Sequence, residues 1–118
     1  MTIFAISDTT SRALGRALDG LDARQQATAS NVANIETPGY QARVVRFEDS
    51  LRAAFRSGNP LSSSIETDRS MAPTRLNGNN VNLDVELMES SQTVLVQRLL
   101  TQSLSSKYSM MRTAISGR

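Results

Sequence analysis

Apolar residues in this chain gather towards its two ends, and a polar stretch rich in Gly, Ser and Asn separates them. Over residues 7 to 35, Leu14, Leu18, Leu21, Gln25, Thr28, Val32 and Ile35 follow alternating steps of four and three, the repeat of a helix with a coiled-coil-like seam. Ala13, Ala17, Ala23, Ala27, Ala29 and Ala33 flank the seam and allow close approach of a second helix, and Ser7 or Asp8 can cap its start. A second long helix is predicted towards the other end, with Asn82 or Asp84 as its cap. It carries one apolar stripe of Leu87, Val94, Leu104, Tyr108, Met111 and Ile115, and another of Leu95, Val96, Leu99, Leu100 and Met110. A helix apolar on several sides has to be covered on several sides. One hairpin partner covers only one.

The first helix is stopped by covalent geometry. Within Ser30-Asn31-Val32-Ala33-Asn34-Ile35-Glu36-Thr37-Pro38-Gly39-Tyr40, Pro38 lacks a backbone N–H and pushes Thr37 out of the helical region. Gly39 accepts positive φ, so Thr37 to Tyr40 has the residue order of a type II turn, and Tyr40 can pack back on the helix. Asn31 and Asn34 share a polar face beside apolar Val32 and Ile35, an arrangement that reads as a docking surface. Beyond it, residues 41 to 46 are extended, with Val44-Val45 able to form a brief strand, and Phe47 to Phe55 reads as a short helix. Ser57 to Asn80 reads as a loop or mobile linker, with Arg69 and Arg75 its expected contacts on assembly. The predicted fold is all-α. Two long terminal helices pair as a coiled-coil-like hairpin around an irregular, partly flexible middle, with segments 1–40, 41–80 and 81–118.

Composition sharpens this picture. Of the 118 residues 39% are hydrophobic but only 4% aromatic, a thin core for a solitary molecule, so packing is expected to be completed by partners. The net charge is +2 with a pI near 9.7, but the basic residues are dispersed arginines with Lys107 the single lysine. Nucleic-acid binders concentrate such charge on one face or arm, and dispersed guanidinium forks suit ion pairs between subunits better. There is no Cys, hence no disulfide or thiolate metal site, and no His to serve as general base or metal ligand. Ser105, Ser106 and Lys107 are consecutive on a helix and do not face one another. No catalytic residue, metal or cofactor is expected, and no enzyme. The N-terminus lacks the basic region of a secretory signal, and no run of residues is long and apolar enough to span a bilayer.

The run from Ser30 to Tyr40 is similar to the N-terminal signature of the bacterial flagellar axial proteins (rod, hook and hook-associated). The short length and the run Asn77-Gly78-Asn79-Asn80-Val81-Asn82-Leu83-Asp84 most resemble a proximal subunit of the basal-body rod family. That resemblance implies a structural subunit that polymerises with itself and other flagellar rod proteins, transmits torque and lines the export channel. It further implies contact with the basal-body base and export gate, a periplasmic location in the rod, and export by the flagellar type III apparatus without a cleaved signal peptide. The family turn falls on Asn31, Asn34, Thr37, Pro38, Gly39 and Tyr40. Subunit contacts are expected at Leu14, Leu18, Leu21, Val32, Ile35, Leu95, Leu99, Leu104, Tyr108 and Met111. Phe47 and Leu51 are similar in spacing to the Phe-x-x-x-hydrophobic gate-recognition signal of exported rod and hook subunits. The alternatives are another short proximal-rod subunit, a small basic nucleic-acid-binding helical protein, and an export chaperone or adaptor.

Overall fold

The computed structural model describes residues 2 to 117, with side chains from residue 9 onward. In chain order it consists of α1 (Thr2–Ala33), β1 (Arg43–Arg46), α2 (Glu48–Arg56), a 3₁₀ turn (Pro60–Ser62), β2 (Glu66–Arg69) and α3 (Leu83–Ser116). The long helices hold 32 and 34 residues, about 50 Å each at 1.5 Å per residue. They lie antiparallel: Glu86, early in α3, meets Asn31, late in α1, while Val96 and Leu100 pack on the cluster around Leu21. The molecule measures 64 × 27 × 14 Å. The long hairpin read from the two seams is present.

Its ends differ in detail from the sequence reading. α1 already begins at Thr2, so Ser7 and Asp8 sit inside it rather than capping it, and their side chains fall outside the described residues. For α3 the cap is Asn82, whose Oδ1 accepts the N–H groups of Asp84 at 3.0 Å and Val85 at 3.4 Å. Its far end closes on Gly117 in the left-handed region.

The middle segment is held more firmly than a linker. β1 falls where Val44-Val45 suggests, and pairs antiparallel with β2, Arg43 opposite Arg69 and Arg46 opposite Glu66. β2 reads Glu66-Thr67-Asp68-Arg69 with every residue exposed, so no apolar alternation announces it. The connecting 3₁₀ turn is pinned to α1, where the Arg16 guanidinium donates to the Ser63 carbonyl at 2.9 Å. Short α2 lies one residue from its expected place, and its Ala54 is buried.

The core is small: Leu21, Ala27, Val45 and Phe47, with Ala17, Ala23, Leu51, Ile65, Val96 and Leu100 packed around them. Phe47 reaches α1 because Gly20 has no side chain. A Cβ at Gly20 would stand 2.5 Å from the aromatic ring. The Arg24 guanidinium lies 4.9 Å from the ring centroid and also pairs with Glu48. Leu21 is 4% exposed, which corrects its expected place among outward contacts: the ring drawn down onto Gly20 seals it into this chain's own core.

α3 covers α1 with one side only, burying Glu86 and Thr93. Leu87, Leu95, Leu99, Tyr108, Met110 and Ile115 remain more than half exposed. A groove of about 920 Å³ opens beside the core, with Val45, Phe47 and Leu51 on one wall and Val85, Val96 and Leu100 on the other.

Candidate functional site

At the closed end of the hairpin the two signature runs are each other's partners. Asn31 lies at the centre, 1% exposed. Its Nδ2 donates to the Arg43 carbonyl and to Glu86 Oε1, both at 3.0 Å. Its Oδ1 accepts the Arg43 N–H at 2.8 Å and the Tyr40 hydroxyl at 3.2 Å. A primary amide has two donor hydrogens and two lone pairs, so every one is used. One side chain thereby joins α1, β1 and α3.

The exchange with Arg43 imitates a strand. Because the Arg43 N–H and C=O both point at Asn31, that side of β1 is taken by α1, and β2 takes the other. Two residues on, the Val45 carbonyl accepts from Arg24 Nη2 at 2.8 Å, extending the same cover. The edge of β1 that would otherwise invite another chain is closed by side chains of α1.

Asn34 works at the last turn. Its Nδ2 donates to the Ser30 carbonyl at 2.8 Å, and its Oδ1 accepts the Thr37 hydroxyl at 3.1 Å. The turn that follows is as expected: Gly39 has φ +75°, and Tyr40 N–H bonds the Thr37 carbonyl at 3.3 Å. Tyr40 returns to the helix it left, its phenolic oxygen 3.0 Å from Ser30 Oγ.

The run from Asn77 to Asn82 threads into this bend. Asn79 is fully buried; its Nδ2 donates to the carbonyls of Asn34 and Thr37, each at 2.9 Å, and its Oδ1 accepts the Val81 N–H at 2.8 Å. Asn80 Oδ1 accepts the Ala42 N–H at 2.6 Å, and its Nδ2 donates to the carbonyls of Ser70 and Ala72. Gly39 N–H bonds the Asn77 carbonyl at 2.8 Å. Gly78, at φ +82°, passes so close that a Cβ on it would lie 3.2 Å from Gly39 Cα. Two left-handed glycines thus meet back to back. Arg75 donates to the Ile35 carbonyl at 2.7 Å and the Val81 carbonyl at 2.8 Å. Its contacts are with its own chain, a correction of the expectation that it waits for a neighbour.

Asn31, Asn34, Thr37, Gly39 and Tyr40 are therefore brought together, but as an internal fastening with Asn31 buried rather than as an open docking face. Pro38 stays exposed at the tip of the bend. Asn79, Asn80 and Arg75 belong to the same fastening and had no part in the sequence argument. Their signal was the density of Asn around Gly78, since Asn side chains substitute for backbone partners where no regular ladder exists.

Glu86 is the one buried carboxylate. Desolvation pushes its carboxyl above the usual glutamate range; the Asn31 amide pulls it back, Glu89 pushes it up again, and Thr28 lowers it. A carboxyl held higher in the folded than in the unfolded chain binds its proton more tightly when folded. Its contribution to stability is then greatest in acid and declines as pH rises from the unfolded value through the folded one. Glu86→Gln keeps an acceptor for Asn31 without the charge. Melting temperatures from pH 4 to pH 8 should show a flatter profile than the native chain, with no loss at neutral pH. An unchanged slope would assign the dependence to other groups.

Gly39→Val tests the bend. No atom lies within 4 Å of a Cβ placed there, so the cost is conformational, about 1 kcal/mol or more for a β-branched residue at positive φ. A drop in melting temperature with an unchanged helical signal is expected. No drop would mean that the bend relaxes out of the left-handed region.

Comparison with known proteins returns one theme. Residues 12–41 match the family model described as flagella basal body rod protein, a span that contains the whole bend. The chain is 28% identical over 117 residues to the flagellar basal body rod protein FlgB of Bacillus subtilis, covering 88% of this chain and 91% of that one. It is 30% identical over 108 residues to FlgB of Borreliella burgdorferi, covering 73% and 80%. The FlgB of Cereibacter sphaeroides is 29% identical over 109 residues, covering 81% and 85%.

Proposed function

Because this chain belongs to the flagellar basal body rod protein family, we propose that it is a structural subunit of the proximal rod, built to be packed among copies of itself and other rod proteins. One observation carries the proposal: α3 leaves Leu95, Leu99 and Tyr108 exposed on flanks that α1 does not reach. Oily surface of that extent on so slender a molecule calls for neighbours. Half-buried Leu14, Leu18, Val32, Ile35, Leu104 and Met111 border the seam and would be sealed by the same neighbours. Contacts between unlike surfaces that do not close on themselves build an open helical assembly, the form a hollow, torque-bearing rod requires.

The remaining family expectations follow from this reading. The subunit would leave the cell through the flagellar export apparatus, meet the export gate and the base of the basal body, and end in the periplasmic rod. Phe47 and Leu51 can serve as a gate signal only before the chain folds, because Phe47 is then 5% exposed beneath Arg24. Deleting the gene should abolish swimming and leave basal bodies without rods, with both restored by the intact gene. Complete rods in the deletion strain would overturn the proposal.

A further inference from the structure

The charges of α3 are sorted along its length. Asp84, Glu86 and Glu89 stand in its first turns with no basic residue among them; Arg98, Lys107 and Arg112 follow with no acid among them. Among the described residues none of the six forms an ion pair. The helix dipole favours acids at the start, but its influence fades within a turn, and the last turn of α3 holds no basic residue. The sorting needs another explanation.

The spacing supplies one. Asp84 precedes Lys107 by 23 positions, and Glu89 precedes Arg112 by the same 23. A parallel copy of α3 displaced by that amount, about 35 Å, therefore sets both acids level with bases. The same displacement sets Leu87 level with Met110 and Met88 level with Met111. Leu87, Met88 and Met110 are all more than half exposed. At every height of the overlap the facing residues are opposite in charge or both apolar, on whichever flank the neighbour lies. An unshifted copy would instead set acid beside acid and base beside base.

Resting on the rod reading above, we infer that the first three turns of α3 in one subunit overlap the last three turns of α3 in a second copy of this chain, parallel and head to tail. The contact is between unlike ends, so it leaves one of each free and continues. The charge sorting fixes both the polarity of the assembly and its axial step.

Charge exchange and thiol cross-linking test this in cells assembling rods from the full chain. Asp84→Lys alone and Lys107→Glu alone should each reduce incorporation into purified basal bodies about tenfold or more, because like charges then face each other. The double variant should recover native incorporation. The chain has no cysteine, so thiols are diagnostic: L87C with M110C in one chain should give, on mild oxidation, a ladder of covalent oligomers, and either alone should give none. A ladder with recovery in the double variant supports the inference. Dimers without higher oligomers, cross-links from L87C alone, no covalent product, or single reversals that incorporate normally overturn it. In the last case normal rods leave the rod reading intact, whereas rods that form without any copy of this protein defeat that reading itself.

Discussion

Replacing Asn31 with Ala should lower the stability of the folded chain by about 2–4 kcal/mol, enough to bring the melting temperature down by roughly 10 °C or more. The size follows from what is left behind. The amide is the sole partner shown for the Arg43 N–H and C=O on that side of β1, and it is a donor to the buried Glu86 carboxylate. An orphaned buried group costs about 1–3 kcal/mol, more when charged, whereas the bonds themselves are worth less. Asn31→Asp sharpens the test. It keeps the acceptor for Arg43 and Tyr40 but places a second carboxylate against Glu86, so it should be damaging at neutral pH and milder in acid. Melts of the two variants across pH make the comparison. Near-native stability for Asn31→Ala would mean that the knot does not fasten the hairpin.

The second large effect concerns Phe47 and Gly20. Phe47→Ala should cost about 3–5 kcal/mol, since the ring is the largest member of a small core and carries the Arg24 contact. Gly20→Ala is more informative because two effects oppose. Ala favours a helix interior over Gly by about 1 kcal/mol, yet a Cβ there would stand 2.5–2.6 Å from three ring carbons, and such overpacking costs about 1–3 kcal/mol. In the native background the clash should prevail. In the Phe47→Ala background the clash is gone, and Gly20→Ala should stabilise. Chemical denaturation of the four chains reads this reversal of sign. The same sign in both backgrounds would show that the ring has room to move.

How much could be read from the letters alone depended on whether a residue's partner was nearby in the chain. The two long helices declare themselves through Leu14, Leu18, Leu21 and Leu95, Leu99 because helical periodicity is local. The bend at Pro38-Gly39 is equally local, and its positive φ at Gly39 follows from the residue type. The knot is not. Asn31 meets Glu86 at a separation of 55 positions, and Asn79 meets Asn34 at 45, with no spacing rule linking them. A polar face at Asn31 and Asn34 reads as outward by default, since Asn is more often exposed than buried. Only the amide's capacity to satisfy four groups at once makes burial favourable. Leu21 was misplaced for the reverse reason: it sits correctly on the seam, but Gly20 admits a ring from outside the helix pair. β2 went unseen because a strand exposed on both faces leaves no alternation to find.

All the firm attachments gather at one end. From the Pro38 bend, where Asn31, Asn79 and Arg75 are tied, to the far tips near Thr10 and Ser116, the two arms are joined mainly by a single line of side chains. Such a molecule behaves like tweezers: the tips can be prised apart by modest forces while the pivot holds. Stretching applied at the tips would peel it turn by turn, whereas the same tension along its length would meet the whole joint together. A subunit standing alone would therefore splay first at its tips, where its neighbours in a stack would otherwise brace it.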